Sequence, residues 1–348
     1  MLVLGIETTC DETAVAVVRD GQEILSNVIA TQEDLQAIYG GVVPELACRR
    51  HCEVLLPLVK KALGEKKLSA IDLIAVARGP GLIGALLIGL NFAKALAFST
   101  GIPFVGVNHV EAHLYAAMMG EKPPFPALGI VLSGGHTSLL LIEKLGSYRS
   151  IGSTQDDALG EAFDKTAALL GLPYPGGPQI EKWALKGDIT RYPFKPGRIK
   201  KAPYDFSFSG LKTAVLYAVK GQNGTKRGPT LLSTQEKCDV AASFQHAAFT
   251  DVVKKAIHAS QKFGARCMVL GGGVTCNRYL RSLLSTATDL PLFWPKEGLS
   301  LDNGAMIAGL GYHKYQAQGA DPLDLEPQTR IPLGVENEKA HTLCSAHS

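Results

Sequence analysis

An internal repeat constrains the fold of this chain more than any other feature: residues 4–18 can be laid over residues 128–142 without a gap. Both copies begin Leu-Gly-Ile, and a threonine, Thr13 or Thr137, follows a polar turn at a constant offset of 124 residues. Each copy has the pattern of two strands joined by a turn. Apolar strands around small turns also coincide by chance, so superposition of the two copies is the test. The repeat predicts two similar lobes, and 348 residues suffice for about two domains.

The rest of the chain alternates between strand-like and helix-like segments, which predicts a two-lobed α/β fold. We expect a first lobe over 1–110, to which the last helix, 303–320, returns. A second lobe over 111–302 would contain an insertion at about 175–232, and 321–348 would be an irregular tail. Among the helices, one should begin at Pro44 and end near Leu63. A second should follow the capping box Ser233–Glu236 and end near Phe263.

Cysteine usage and the N-terminus argue for a cytoplasmic protein. The seven cysteines form no CxxC pair, so neither a zinc ribbon nor a disulfide framework is indicated. The one local cluster, Cys48–Cys52 with His51 inside it, fits an ordinary helix better than a metal site. Residues 1–5 lack the basic start of a signal peptide. The longest apolar stretch, 82–98, contains Asn91 and Lys94 and is better explained as a buried helix than as a membrane span.

One segment departs from the overall charge balance. Residues 182–227 contain eleven Lys or Arg against two Asp, a net charge of +9 that leaves −6 for the rest of a chain of net charge +3. Aromatic residues are interleaved with these charges, among them Trp183, Tyr192, Phe194, Tyr204, Phe206 and Phe208. A solvated loop would explain this composition, but a basic, aromatic-rich insertion on an acidic body also suits single-stranded nucleic acid. Replacing Arg198, Lys200 and Lys201 should then flatten the salt dependence of nucleic-acid binding.

Three glycine-rich or polar turns follow predicted strands: 7–13, 133–137 and 271–277. Glycines in such turns let backbone N–H groups approach phosphate oxygens. The P-loop pattern GxxxxGK[ST] and a strand-borne GxGxxG are both absent from the sequence, so neither a P-loop nor a Rossmann fold is indicated. The duplicated hairpin with a late glycine-rich turn resembles the superfamily of actin, Hsp70 and sugar kinases (ribonuclease H-like lobes). That resemblance implies a nucleotide held in a cleft between two duplicated lobes.

A candidate metal site begins with His109 and His113, which lie at positions i and i+4 of a predicted helix start. This spacing places both imidazoles on one helix face. A zinc protease would need HExxH, in which the glutamate directly after the first histidine is the general base. Here Glu111 stands two residues after His109, so a protease mechanism would have no base at that position. Two capping or core histidines are the alternative. A third ligand should be a carboxylate from elsewhere, and Asp302, just before the last helix, is our candidate.

Taken together, the motifs resemble those of the bacterial tRNA N⁶-adenosine threonylcarbamoyltransferases, the TsaD family, from residue 2 to about 310. The matching segments are GIETTCDET (5–13), GGVVPE (40–45), GPGLIG (79–84), HVEAH (109–113), SGGHT (133–137), EAFDK (161–165), YPGGP (174–178), SFSGLK (207–212), GGGVTCN (271–277) and DNGAM (302–306). Departures from the family pattern are Cys48, Arg50, Leu301 and Ile331, and none is a presumed ligand.

The resemblance implies transfer of a threonylcarbamoyl group from threonylcarbamoyl-AMP to the exocyclic amine of the adenosine 3′ of the anticodon, in tRNAs reading codons that start with A. An adenine amine is a weak nucleophile, so an activated acyl donor makes chemical sense, and an unpaired anticodon loop can present its base to a cleft. The resemblance also implies an inactive paralogue as heterodimer partner, a small P-loop ATPase and no membrane. It implies one divalent metal, for which we favour Fe(II) over Zn(II), although two histidines and a carboxylate suit both.

Carried onto this sequence, the family's metal ligands are His109, His113 and Asp302. The family's substrate contacts fall into three groups. The phosphate side is matched by Val131, Leu132, Ser133, Gly134 and Gly135. The ribose side is matched by Asp164 and Gly177, and the adenosine side by Asn277. Asp11, Glu12 and His136 are polar residues of the two turns, any of which could act as base or position the threonyl part.

Three competing functions remain at this stage. A small-molecule O-carbamoyltransferase would share the lobes and the metal site but would not need the basic segment. A metalloprotease is disfavoured by the position of Glu111. A scaffold without activity should have lost one of the three expected metal ligands, and all three are present.

Overall fold

The computed structural model describes residues 1–197, 199–200, 202–221, 232–331 and 333. In this part of the chain ten strands form two five-stranded mixed sheets. The first sheet consists of β1 (Leu2–Glu7), β2 (Thr13–Arg19), β3 (Glu23–Ala30), β4 (Leu73–Gly79) and β5 (Phe104–Asn108). The second sheet consists of β6 (Ala127–Leu132), β7 (Thr137–Lys144), β8 (Ser147–Ser153), β9 (Cys267–Gly271) and β10 (Leu292–Phe293).

The two sheets repeat one topology. Their strand orders are β3-β2-β1-β4-β5 and β8-β7-β6-β9-β10. In each sheet the first three strands in chain order pair antiparallel with their neighbours, and the last two strands run parallel to β1 or β6. The strand register is repeated as well: Leu4 faces Val17 in the first sheet, and Leu128 faces Leu141 in the second. Both partners are thus displaced by the same 124 residues. The predicted duplication and the two-lobed α/β fold are confirmed.

Helices cover the outer face of each sheet. Those of the first lobe are α1 (Glu33–Tyr39), α2 (Pro44–Leu63) and α3 (Ile83–Thr100), followed by α4 (His109–Met118), which is described below. Those of the second lobe are α5 (Leu159–Leu170), α6 (Gly176–Ala184), α7 (Ser209–Lys220), α8 (Thr234–Phe263) and α9 (Arg278–Ala287). The chain ends its regular structure with α10 (Gly304–Gln318). The predicted bounds of α2 and the predicted capping box of α8 agree with the structure.

The two lobes exchange helices across the cleft. Helix α4 follows the last strand of the first sheet but packs on β6 and β9 of the second. Helix α10 follows the second sheet but packs on β1, β2 and β4 of the first, and the two helices contact each other. Because both lie between the sheets, they share one core with residues from both lobes. Each helix begins with an asparagine cap: the Asn108 side chain accepts from the Val110 N–H, and the Asn303 side chain from the Met306 N–H.

Helix α3 is, within the described residues, the one helix long and apolar enough to cross a membrane by length and composition. A core helix of a soluble protein passes the same test. One face of α3 is buried against α2 and β4, while Phe98 on another face is 80% exposed. The expectation of a buried helix is therefore correct for one face only.

The basic segment is built into the second lobe. It contains the end of α6 and the whole of α7. Phe206 and Phe208 are fully buried in the core of this lobe, so the expectation that the aromatic residues form an exposed surface is wrong for these two. The described cations at its surface are Lys182, Lys186, Arg191, Lys195 and Lys200. Arg198, Lys201, Lys226 and Arg227 lie outside the described residues.

The described part of the tail, 321–331, has no helix or strand but is anchored on the first lobe. The Asp321 N–H donates to the Phe104 carbonyl at 2.9 Å, and the Gln328 N–H to the Arg78 carbonyl at 2.8 Å. Ile331, where the family pattern differs, is 7% exposed. The tail therefore crosses the ends of β4 and β5.

Candidate active site in the cleft

The starts of α4 and α10 bring three expected metal ligands together at the base of the cleft. His109 and His113 lie one turn apart on α4, and Asp302 precedes the cap of α10. The Asp302 Oδ1 lies 3.1 Å from the His113 Nε2 and 3.6 Å from the His109 Nε2. One ligand atom from each residue lies within 4.8 Å of the others. Because each lobe contributes one of the two helices, the cluster depends on both lobes.

The chemistry of this cluster fits a divalent metal ion. His109 is 5% exposed and His113 is fully buried, and neither ring nitrogen of His113 makes a well-aligned hydrogen bond, although its Nε2 lies 3.1 Å from the Asp302 Oδ1. Buried polar atoms without a partner are costly in a protein interior. Two imidazoles and a carboxylate are a donor set used by both Zn²⁺ and Fe²⁺. A bound metal would therefore satisfy groups that the fold itself leaves unsatisfied.

Glu7, at the end of β1, fixes the orientation of His109. Its Oε2 lies 3.0 Å from the His109 Nδ1, and its Oε1 accepts from the Thr9 N–H at 2.6 Å. This carboxylate is fully buried. Burial opposes the charge on His109, but the Glu7 and Asp302 carboxylates outweigh it and raise the pKa of the imidazole to about 9. A proton on Nδ1 leaves Nε2 free for a metal, which is the usual arrangement of carboxylate, histidine and metal. The sequence analysis did not identify Glu7.

The first turn contains two carboxylates, of which Glu12 faces Asp302 of the cluster. Asp11 is 8% exposed. Burial raises the pKa of Glu12 to about 9, and the negative charges of Asp302 and Asp11 add to this effect. In the second turn, the His136 ring centre lies 6.4 Å from that of His109. Burial and the neighbouring imidazoles lower the pKa of His136 to about 4. Glu12 and His136 thus lie beside the cluster, and Asp11 adjoins Glu12.

The second turn presents backbone to the cleft. Val131 and Leu132 are fully buried, so their side chains face the core. The Ser133 hydroxyl accepts from the His136 N–H at 3.1 Å, whereas a Cβ on Gly134 or Gly135 would meet open space. Helix α5 begins directly behind this turn, and the Gly160 N–H donates to the Ser133 carbonyl. Glycines in front of a helix start can hold a phosphate group.

The expected ribose and adenosine contacts lie along the second lobe. The Asp164 Oδ1 accepts from the Gly176 N–H at 2.7 Å, and Gly177 faces open space. The Asn277 side chain caps α9 and donates to the Gln245 Oε1 at 2.9 Å. A cavity of about 520 Å³ adjoins these residues. Its lining includes Pro178, Glu181, Lys182, Gln245, Arg278 and Tyr279. Sequence reasoning missed Gln245 and Glu181, because neither lies in a glycine-rich turn.

The cysteine cluster of α2 is not a second metal centre. His51 uses both ring nitrogens on the first turn, at 2.7 Å from the Thr13 hydroxyl and 3.0 Å from the Cys10 carbonyl. Within the described ranges, the only group of three or more ligating side chains close enough for a metal is that of His109, His113 and Asp302.

Solved structures with similar folds define the class of protein. Full-length HypF in its phosphate- and nucleotide-bound form matches 92% of this chain and 47% of its own, with a TM-score of 0.59 at 14% identity. The activator of the 2-hydroxyisocaproyl-CoA dehydratase from Clostridium difficile, with bound ADPNP, matches 91% of this chain and 96% of its own at a TM-score of 0.51 and 11% identity. The chain thus shares the two-lobed, actin-like fold of these structures, with a cleft that contains a candidate metal centre.

Sequence relatives give the family. The model of TsaD, tRNA N6-adenosine threonylcarbamoyltransferase, matches residues 23–309. A curated protein of that name from Protochlamydia amoebophila is 60% identical over 96% of this chain and 98% of its own length. Another from Syntrophotalea carbinolica is 47% identical over 96% and 97%. The chain belongs to the TsaD family and is a transferase that modifies tRNA by threonylcarbamoylation of adenosine N⁶. The small-molecule O-carbamoyltransferase alternative is not favoured.

Proposed function

We propose that the chain transfers the threonylcarbamoyl group from threonylcarbamoyl-AMP to the N⁶ amine of the adenosine 3′ of the anticodon, in tRNAs reading codons that start with A. In this reaction N⁶ attacks the carbamoyl carbon, the bond from that carbon to the phosphate oxygen breaks, and AMP leaves with the electron pair. N⁶ loses one proton. The observation that carries the proposal is the His109–His113–Asp302 cluster, which lies beside the two turns in a TsaD-family chain.

The donor would lie along the second lobe. The cavity beside Asn277 and Gly177 has the volume for an adenosine, since ligand pockets typically span roughly 300–1,000 Å³. The backbone of Gly134 and Gly135, in front of α5, would hold the phosphate. This arrangement directs the acyl end of the donor from the cavity toward the histidine cluster. Val131 and Leu132 would contribute through backbone groups, because their side chains are buried.

A divalent metal would be held by His109, His113 and Asp302, with Fe(II) favoured over Zn(II). When bound, it would supply Lewis-acid polarisation of the phosphate or of the carbonyl. Glu7 keeps the His109 ring oriented toward the other two ligands. Glu12 and His136 beside the same centre, and Asp11 next to Glu12, are the groups available to accept the N⁶ proton or to bind the threonyl hydroxyl and carboxylate.

The acceptor tRNA would contact the exposed cations of the basic segment. Lys186, Arg191 and Lys195 offer sequence-independent contacts to phosphates. By its family, the chain would act in the cytoplasm with an inactive paralogue as heterodimer partner and a small P-loop ATPase.

Reconstitution tests this function. Purified chain, partner proteins and threonylcarbamoyl-AMP are incubated with unmodified tRNA, and the digested nucleosides are analysed by mass spectrometry. We expect threonylcarbamoyladenosine in a tRNA that reads an A-starting codon and none in the same tRNA with guanosine 3′ of the anticodon. Equal modification of both tRNAs would contradict the proposed acceptor site, and no modification of either would contradict the proposed donor.

A further inference from the structure

His51 is a fully buried imidazole that contacts both ends of the first turn. Its Nε2 lies 3.0 Å from the Cys10 carbonyl, which can only accept, so Nε2 carries the ring proton. Its Nδ1 therefore accepts from the Thr13 hydroxyl at 2.7 Å. Both ring nitrogens of His51, a residue of helix α2, thus make hydrogen bonds to the turn that contains Asp11 and Glu12.

The internal repeat shows which groups of the second lobe hold the turn that is equivalent to the first turn. The residue equivalent to Thr13 is Thr137, whose hydroxyl oxygen accepts from the Leu159 N–H at 2.8 Å. The same helix start, that of α5, also holds the Ser133 carbonyl through the Gly160 N–H. Backbone groups of a single helix thus anchor both ends of the second turn.

In the first lobe these two tasks are divided. The Leu82 N–H at the start of α3 donates to the Thr9 carbonyl, which is equivalent to that of Ser133. The threonine hydroxyl and the adjacent Cys10 carbonyl are left to His51. A side chain from α2 has therefore replaced a helix backbone as the anchor of the turn.

The first turn needs this anchor more than the second does. Where the second turn has Gly134 and Gly135, the first has Cys10 and Asp11, followed by Glu12. The two neighbouring carboxylates repel each other whenever both are charged, and the Glu12 carboxylate also faces the negative charge of Asp302. A neutral imidazole holds the backbone without adding a charge to this acidic group.

We propose that His51 is a positioning residue for the transfer reaction: it fixes the Cys10–Thr13 turn so that Asp11 and Glu12 face the reacting groups. This inference rests on the proposed function, in which that turn takes part in catalysis. Displacement of a reacting or positioning group by about 1 Å can cost about 100-fold in rate. The tRNA would bind elsewhere, on the basic segment, so loss of the anchor should affect kcat much more than KM for tRNA.

The test compares His51→Leu with His313→Leu as a matched control. His313 is also an imidazole on a hydroxyl, 2.9 Å from that of Tyr115, but it is only partly buried and lies nine residues into α10, away from the cleft. Both variants are reconstituted with the partner proteins, and kcat, KM for tRNA, metal content and melting temperature are measured. We expect kcat of His51→Leu to fall about 10- to 100-fold with KM and metal content nearly unchanged, and His313→Leu to retain the wild-type kcat.

Four further variants keep the proposal falsifiable if His51→Leu does not fold. His51→Gln can still donate to the Cys10 carbonyl and should recover part of the lost kcat. Thr13→Val removes the other partner, and a double variant with His51→Gln should lose less than the two single losses combined, because the residues act on one turn. The kcat of Asp11→Asn shows whether the Cys10–Thr13 turn takes part in the transfer reaction.

Each outcome has one meaning. A folded His51→Leu enzyme with wild-type kcat or, if that variant does not fold, a Thr13→Val enzyme with wild-type kcat, in an assay where Asp11→Asn is inactive, would overturn the positioning role and leave the proposed function intact. An equal loss in His313→Leu, or a loss of metal that parallels the loss of kcat, would also overturn it. If wild-type enzyme forms no modified nucleoside, the proposed function fails instead.

Discussion

Replacing Glu7 with Gln should weaken metal binding without unfolding the protein. Gln has nearly the volume of Glu, and its carbonyl oxygen can still accept from the Thr9 N–H, which lies 2.6 Å from the Glu7 Oε1. The amide NH₂ is then left facing the His109 Nδ1, where the wild type has a carboxylate oxygen at 3.0 Å. Because the amide donates, Nδ1 has to accept, and the ring proton moves to Nε2. That nitrogen is the one that faces Asp302 and His113.

The size of the effect follows from this change of tautomer. Loss of a carboxylate behind a metal-binding histidine costs about 10- to 100-fold in metal affinity. That loss corresponds to about 1.4–2.7 kcal/mol of binding free energy. Glu7 is fully buried, so no water replaces its interaction with the ring, and the upper part of this range is expected.

Calorimetric titration of metal-free protein with Zn²⁺, and with Fe²⁺ under anaerobic conditions, measures the affinity directly. Glu161→Gln is the matched control, because Glu161 is a surface carboxylate of α5 that pairs with Lys165 and not with a histidine. Circular dichroism checks the fold of both variants. A folded Glu7→Gln protein with wild-type affinity for both metals would refute the argument that Glu7 sets the tautomer of His109.

The remaining predictions concern packing, tRNA binding and pH. Gly5→Ala should destabilise the fold by about 1–3 kcal/mol, because the new Cβ would lie 2.2 Å from the Gly304 carbonyl oxygen; unchanged denaturant stability would contradict this packing. Replacing Lys195 and Lys200 with Ala should lower the salt slope of tRNA affinity by about 1.4–1.8 units, while parallel lines would exclude these contacts. Burial lowers the pKa of His51 below the ordinary 6.5, so below that pH the unfolded chain binds more protons and the free energy of unfolding decreases. His51→Gln should flatten this decrease in denaturation measured from about pH 7 to 5; identical slopes would count against a buried neutral imidazole.

The two-lobed fold could be predicted because the internal repeat requires two equivalent hairpins. A constant offset between residues 4–18 and 128–142 requires the same hairpin twice, and the observed strand register preserves that offset. The exchange of α4 and α10 between the sheets is a property of the tertiary fold, and only the return of α10 was expected. The short helices α1, α6 and α7 were missed. Each of them lacks a side-chain N-cap, which is the local signal that identified α8.

The candidate site could be predicted in part. His109 and His113 were found because a helix turn places residues i and i+4 together, whereas Asp302 required a guess about where α10 begins. Glu7 and His51 were missed because their partners lie 102 and 38 residues away in the sequence. No periodic pattern reports such contacts. Phe206 and Phe208 of the basic segment were misjudged, since composition does not distinguish a stacking surface from a core.

A single-turnover transfer experiment tests the central claim most directly. Threonylcarbamoyl-AMP labelled in the threonyl group is mixed with excess reconstituted enzyme and tRNA, and the modified nucleoside and AMP are quantified over time for wild type and Asp302→Asn. The account predicts one AMP released for each modified adenosine with wild type, and a transfer rate at least about 100-fold lower with Asp302→Asn, while the donor still binds. Transfer at the wild-type rate by Asp302→Asn would contradict the placement of the reaction at the His109–His113–Asp302 cluster.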